Sequence, residues 1–285
     1  MRAVLIIDTA HVKIMTNNSQ SRKDGSDMYE LVKYEVKGDI AYITANNPKV
    51  MNCLSGKMLD DLYGAFNEAE DDAAVKVVIF TGEGKAFIAG ADISEMATMS
   101  VAEGQAYSAL GHKLAMFIEG MSKPVIAAIN GFALGGGCEM AMSCDIRLAS
   151  TAAKFGQPEV GLGLTPGYGG CVRLQKLIGK GMAKKLIFTG AMIGAEDAVK
   201  YGLVEDVYEP EELLPAAEKL AGKIAKQAPF AVAVCKKIIN NVSDMDVRAA
   251  SAFEIQGFTS AFATEDRIEG TAAFVEKRKP NFQGK

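Results

Sequence analysis

Two glutamates and a run of bare backbone are the residues of this sequence best suited to chemistry. Glu139 follows three consecutive glycines in "NGFALGGGCEM" (130–140), and Glu159 stands in "GQPEVG", 20 residues later. A carboxylate pair brought to one substrate supplies a general base and a general acid, and mutual repulsion keeps the two from both being fully ionised. The glycines have a matching use. N–H groups at a helix start are unpaired and carry the positive end of the helix dipole. Two of them, from two loops, form an oxyanion hole for a carbonyl oxygen that gains charge. Each feature alone also has a plain structural reading: the glutamate as a dipole partner, the glycine loop as a tight turn.

Other chemistries lack their residues. The glycine loops contain no GxxxxGK[ST], and no GxGxxG with an acid about 20 residues on, so phosphate cradling is not indicated. Two histidines, His11 and His112, are too few for a histidine-rich metal site, and His112 reads as a surface residue of a helix. Five cysteines (Cys53, Cys138, Cys144, Cys171, Cys235) contain no CxxC pair and leave one unpaired in any disulfide scheme. That pattern indicates packing thiols in a reducing, cytoplasmic compartment and no metal.

The elements that must position these residues alternate. "YELVKYEVKGDIAYITAN" reads as a hairpin about Lys37-Gly38-Asp39, and Ser55 caps a helix running to about Glu70. "VKVVIFTGEG" and "KPVIAAING" are buried strands separated by a helix over roughly 101–120. From Gly170 onward the chain reads as helical almost throughout. Strands alternating with helices imply an α/β layer architecture. Three loops share the order strand, glycine turn, helix: "AFIAGADISEM" (86–96), "GFALGGGCEMA" (131–141) and "GQPEVGLGLTPGYGG" (156–170).

The 285 residues suit one domain with an appendage, and the net charge of −4 gives no electrostatic footprint for nucleic acid. No apolar run approaches a membrane span. Residues 1–27 read as a flexible polar extension whose apolar stretch is too short for a signal peptide, with Met28 as the functional beginning. The domain reading is therefore an extension over 1–27, a core over 28–220 and a C-terminal helical region over 221–285.

The segments "KAFIAGADISEM", "KPVIAAINGFALGGGCEMAMSCDIRLAS", "AKFGQPEVGLGLTPGYGG" and "FATEDRIEGTAAFVEKRKPNF", in that order, resemble the crotonase (enoyl-CoA hydratase/isomerase) superfamily. The likeness runs from about Tyr29 to Gln283 and is strongest to short-chain enoyl-CoA hydratases, the 3-hydroxybutyryl-CoA dehydratases. It implies a spiral of stacked ββα units with a C-terminal helical trimerisation region, assembled as a homotrimer or as a hexamer of paired trimers. It implies an acyl-CoA thioester substrate whose oxygen meets the N–H groups of Ala91 and Gly136. Glu139 and Glu159 become the pair that holds the reacting water, with the Gly167 N–H positioning it. Ala89, Asp92, Ile93 and Ser94 line the CoA entry, with Lys49 near the nucleotide; Phe274 and Lys277 approach the substrate from a neighbouring subunit.

This chain departs from the family pattern at three places. Ser94 stands where some relatives carry a lysine, "GGCVRL" replaces "GGTQRL", and "NNPKVMNCLS" varies "NRPKALNALS". The implied reaction is reversible hydration of a trans-2-enoyl-CoA with no cofactor, coenzyme A being part of the substrate. The alternatives are an enoyl-CoA isomerase, a hydro-lyase for a specialised acyl-CoA, and a non-catalytic acyl-CoA or RNA-binding module.

Overall fold

A computed structural model describes residues 29–285; the expected N-terminal extension and Met28 lie outside the described residues. The hairpin forms as read, with β1 (Val32–Lys37) antiparallel to β2 (Ile40–Ala45) about a turn in which Gly38 has φ +64°. Ser55 starts α1 (Gly56–Asp71), its hydroxyl accepting from the Met58 N–H. The chain then repeats one plan, placing one strand in each of two sheets before a helix. The first unit is β3 (Val77–Gly82), β4 (Ala86–Ile88), the single turn α2 (Ile93–Met96) and α3 (Val101–Gly120). A capping box of Ser100 and Glu103 opens α3. The second is β5 (Val125–Ile129), β6 (Phe132–Leu134) and α4 (Gly136–Ser143). The third is β7 (Ile146–Ser150), β8 (Lys154–Gly156), α5 (Gly170–Ile178) and α6 (Lys180–Thr189).

The remaining elements are β9 (Met192–Gly194), α7 (Ala195–Tyr201), β10 (Asp206–Tyr208), α8 (Pro210–Ile224), α9 (Pro229–Val242), α10 (Val247–Phe262) and α11 (Glu265–Val275). The two short strands depart from the helical reading of this half. Three residues carry too little alternation to show as a strand, and pairing with β8 and β7 is what defines them.

The sheets run β1-β2-β3-β5-β7-β10 and β4-β6-β8-β9. Strands β3, β5 and β7 are parallel and buried on both faces, which explains their continuous apolar runs. Val78, Phe80, Val125, Ala127 and Ile129 face the main core with α1 and α3. Val77, Ile79, Ile126, Ala128 and Leu148 face Leu213, Ala217 and Ala221 of α8. The expected boundary at 220/221 falls inside α8. Beyond it, α9 is tied to the core by Lys236, whose ammonium pairs with Asp145 at 2.8 Å and donates to the Ile118 and Lys123 carbonyls.

Candidate active site

Strands β4, β6 and β8 are neighbours in the second sheet and run parallel. Their C-terminal ends therefore deliver the three glycine loops to one place, as at the carboxyl ends of other parallel sheets. Ala91 lies three residues after β4, Gly136 opens α4 two residues after β6, and Glu159 lies three residues after β8.

The backbone of the first loop is held by a parallel bridge between Leu54 and Ala91. Leu54 donates to the Gly90 carbonyl at 2.8 Å, and Asp92 donates to the Leu54 carbonyl at 3.2 Å. The Ala91 N–H consequently points away from this bridge. Leu54 also reaches the second loop, its Cδ1 lying 2.9 Å from where a Gly136 side chain would begin. Among the described residues neither the Ala91 nor the Gly136 N–H has a protein acceptor. The triple glycine is a packing requirement as well. Gly135 takes φ +47° against the Glu159 carboxylate, and a Cβ on Gly137 would sit 1.9 Å from the Ile88 carbonyl oxygen. Helix α4 thus lies with its backbone directly on β4.

Glu139, in the first turn of α4, is 1% exposed. Its Oε1 accepts from the Tyr168 N–H at 2.8 Å and the Gly170 N–H at 2.6 Å. Burial raises its pKa; the Gly170 and Tyr168 N–H groups and the Arg173 guanidinium oppose that rise by stabilising the anion. Glu159 has less support, its own backbone N–H alone opposing the rise. Burial, and then the Glu139 charge, push it from 4.5 up to about 7, while its Oε2 has no protein partner among the described residues. The two carboxyls thus have different environments: burial raises both, but Glu139 is opposed by several backbone N–H groups and a guanidinium, and Glu159 only by its own N–H. Among the described residues no cluster of three or more His, Cys, Asp or Glu side chains is placed to hold a metal ion.

Gly167 adjoins Glu139 through the next peptide, and its own N–H has no protein acceptor among the described residues. Ala89, Asp92, Ile93 and Ser94 lie together after β4. The Asp92 carboxylate is occupied as the N-cap of α2, accepting from the N–H groups of Ser94 and Glu95 and from the Ser94 hydroxyl. Ile93 and Ser94 are exposed. Lys49 sits in a single 3₁₀ turn (Pro48–Val50), exposed, near Met51, whose carbonyl accepts from the Ala89 N–H. Phe274 and Lys277 are not brought to this cluster within one chain. Phe274 is 85% exposed on α11, and Lys277 follows that helix in a left-handed conformation, φ +56°.

Several residues around the cluster escape a sequence reading. The Tyr168 ring lies against Gly111 of α3 and Gly136 of α4, edge-on to Tyr107 with centroids 5.8 Å apart. Ser108, Glu119 and Arg173 support the loop behind Glu139. The one sequence trace of this support is the helical spacing of Ser108, Gly111, His112 and Glu119. His112, expected on the surface, is half-buried with a ring carbon 3.6 Å from where a Gly169 side chain would begin.

A spiral of ββα units with backbone donors and two unlike carboxyls at the ends of its parallel strands is the architecture of an acyl-transforming α/β enzyme. The chain belongs to the enoyl-CoA hydratase/isomerase family, whose profile matches residues 35–285. It is 51% identical over 246 residues to the short-chain-enoyl-CoA hydratase of Clostridium acetobutylicum, covering 86% of this chain and 94% of that protein. It is 48% identical over 258 residues to the crotonyl-CoA hydratase of Syntrophomonas wolfei, covering 90% and 99%. The solved enoyl-CoA hydratase from Bacillus anthracis superposes with a TM-score of 0.87 at 38% identity, over 90% of this chain and 100% of that one.

Proposed function

We propose that this protein hydrates short-chain trans-2-enoyl-CoA thioesters reversibly to 3-hydroxyacyl-CoA. One observation carries the mechanism: Glu139 and Glu159 converge from neighbouring loops, the first braced by backbone N–H groups and the second pushed to about 7. The thioester oxygen binds the Ala91 and Gly136 N–H groups, which stabilise the charge that builds there as water attacks C3. Glu139, ionised, takes a proton from that water, and Glu159, protonated, delivers one to C2. The Gly167 N–H positions the water. The thioester itself delocalises the negative charge, so the reaction is written without a cofactor.

Short acyl chains are favoured by Tyr168, whose ring stands against Gly136 and takes up space beside the thioester position. In this reading Ala89, Asp92, Ile93, Ser94 and Lys49 border the CoA entry, Asp92 by shaping the loop as a helix cap. Phe274 and Lys277 serve a neighbouring subunit of a homotrimer or of a hexamer of paired trimers. Exposed Ile255, Phe258, Phe262, Ile268 and Phe274 on α10 and α11 support assembly, being apolar side chains that one chain leaves uncovered. Among the described residues no helix is long and apolar enough to cross a membrane. Five free thiols support a cytoplasmic location.

The test follows loss of the enoyl absorbance when purified protein meets crotonyl-, hexenoyl- and decenoyl-CoA. Turnover falling from the first to the last is expected, with one solvent oxygen entering the product in ¹⁸O-labelled water. Double-bond migration without oxygen incorporation refutes hydration.

A further inference from the structure

Three successive peptide units in the loop behind Glu139 are oriented alike. In the 167–168 unit, the Tyr168 N–H donates to Glu139 Oε1 at 2.8 Å, and the Gly167 carbonyl accepts from the Ser108 hydroxyl at 2.6 Å. In the 168–169 unit, the Gly169 N–H adds a weaker stabilisation of the same carboxylate, and the Tyr168 carbonyl accepts from Arg173 Nη1 at 2.9 Å. In the 169–170 unit, the Gly170 N–H donates to Glu139 Oε1 at 2.6 Å, and the Gly169 carbonyl accepts from the N–H groups of Val172 and Arg173. Consecutive N–H groups directed at one anion make a nest. Here every carbonyl on the far side also has a donor, so each peptide is polarised toward the carboxylate.

Arg173 is built into this arrangement. Its guanidinium is bound through Nε and Nη2 to both oxygens of Glu119 in the last turns of α3, each at 2.7 Å. The Arg173 side chain is only 12% exposed, against 38% for Glu119. A Cβ on Gly169 (φ +113°) would fall 1.9 Å from Arg173 Nη1, so only glycine lets the guanidinium pass beneath the loop. Ser108 and Glu119 lie on one α3 face and grip the loop at two points.

We infer that Arg173, anchored by Glu119 and assisted by Ser108, is a positioning residue for Glu139 that acts through the peptides of residues 167–170. It touches neither substrate nor water. It sets where the Glu139 carboxylate stands and adds a positive charge behind it. The inference rests on the hydratase reading for its kinetic consequence, but the loop support is a property of the fold and is measured separately.

The experiment compares wild type with Arg173→Gln, Arg173→Lys, Glu119→Gln, Ser108→Ala and, as control, Lys176→Ala on the exposed side of α5. Crotonyl-CoA hydration is measured from pH 5 to pH 9, and amide hydrogen exchange is followed over the 166–171 segment. Arg173→Gln is expected to lower kcat by roughly 10–100-fold, since displacement by about 1 Å is worth that much. KM should change less than about 3-fold. Its acid limb should move upward by about half a pH unit to one unit, because Glu139 loses a stabilising cation. Arg173→Lys should recover the acid limb and only part of kcat, since an ammonium keeps the charge without the fork. Glu119→Gln should lower kcat with no upward movement of the limb, because the cation remains and only its anchor is weakened. Ser108→Ala should cost a few-fold.

The groups facing Glu139 or its supporting loop are Glu159 after β8, Cys171 and Arg173 of α5, Tyr168 of the loop, Cys138 of its own helix, and Ser108, His112 and Glu119 of α3. Glu159, Cys171, Tyr168, Cys138 and His112 are present in every variant. Exchange over 166–171 should quicken in the Arg173 and Glu119 variants and match wild type in the control. If Arg173→Gln only lowers the melting temperature, leaving kcat, the acid limb and exchange unchanged, the inference is overturned. If wild type fails to hydrate crotonyl-CoA, the functional reading falls, and exchange alone decides whether Arg173 holds the loop.

Discussion

Replacing Glu159 by Gln removes a carboxyl that burial, and then its neighbour Glu139, raise from 4.5 to about 7. The consequence for stability has a definite sign. Below about pH 4.5 the group is protonated in both the folded and unfolded chain and contributes nothing. As pH rises toward 7, the unfolded chain releases a proton that the folded protein retains, so wild type loses stability across that window. Above about pH 7 the penalty is constant. The gap between the two values sets an upper limit of ~3 kcal/mol, and partial solvent access lowers the expectation to about 1–2 kcal/mol. Gln carries no such penalty. Relative to wild type, Glu159→Gln should therefore gain stability between pH 5 and pH 8, a difference of roughly 2–8 °C in melting temperature. Hydration should meanwhile fall by about 10²–10⁴-fold through loss of the acid. Melting curves at the two pH values, with crotonyl-CoA turnover on the same samples, make the test. A variant whose stability relative to wild type is the same at pH 5 and pH 8 would refute the argument that Glu159 is held near neutrality by its surroundings.

Glu139→Gln should also remove most hydration, and the double Gln variant should be little worse than the poorer single one, because groups acting as a unit are non-additive; near-normal turnover by either single variant contradicts the paired mechanism. Gly137→Ala places a Cβ 1.9 Å from the Ile88 carbonyl, so denaturant unfolding should show a loss of ~3 kcal/mol or no folded protein. Tyr168→Ala should shift preference toward hexenoyl- and decenoyl-CoA, read as the ratio of kcat/KM values, while lowering stability by about 3–5 kcal/mol; an unchanged ratio excludes Tyr168 as a limit on chain length. Light scattering should give a trimer or hexamer that dissociates or unfolds on truncation before Phe253, whereas a fully active monomer excludes the oligomer.

Much of this molecule is legible along the chain because the relevant physics is local. The hairpin about Gly38 and the Ser55 start of α1 both follow from turn and cap chemistry within a few residues. The helix over 101–120 is equally local, its start fixed by the Ser100–Glu103 capping box within one turn. The alternation of strands with helices, and the glutamates placed just after glycine turns, are likewise sequence properties. The short strands β9 and β10 are not, since pairing with distant partners is what makes them strands.

The unlike environments of the two glutamates were decided by tertiary structure. Sequence alone shows two carboxylates 20 residues apart in similar glycine-rich settings. Folding buries Glu139 against the N–H groups of Tyr168 and Gly170, 29 and 31 residues away, and leaves Glu159 desolvated without equivalent donors. The loop that braces Glu139 is in turn held by Ser108 and, through Arg173, by Glu119, bonds that span 59 and 54 residues. Beyond the shared α3 face of Ser108 and Glu119, such contacts leave no periodic trace, because each partner satisfies its own helix or turn whatever stands opposite. Residue types and order specify which groups are present and which strands carry them; only the juxtaposition of β4, β6 and β8 beside α3 sets their distances, burial and protonation.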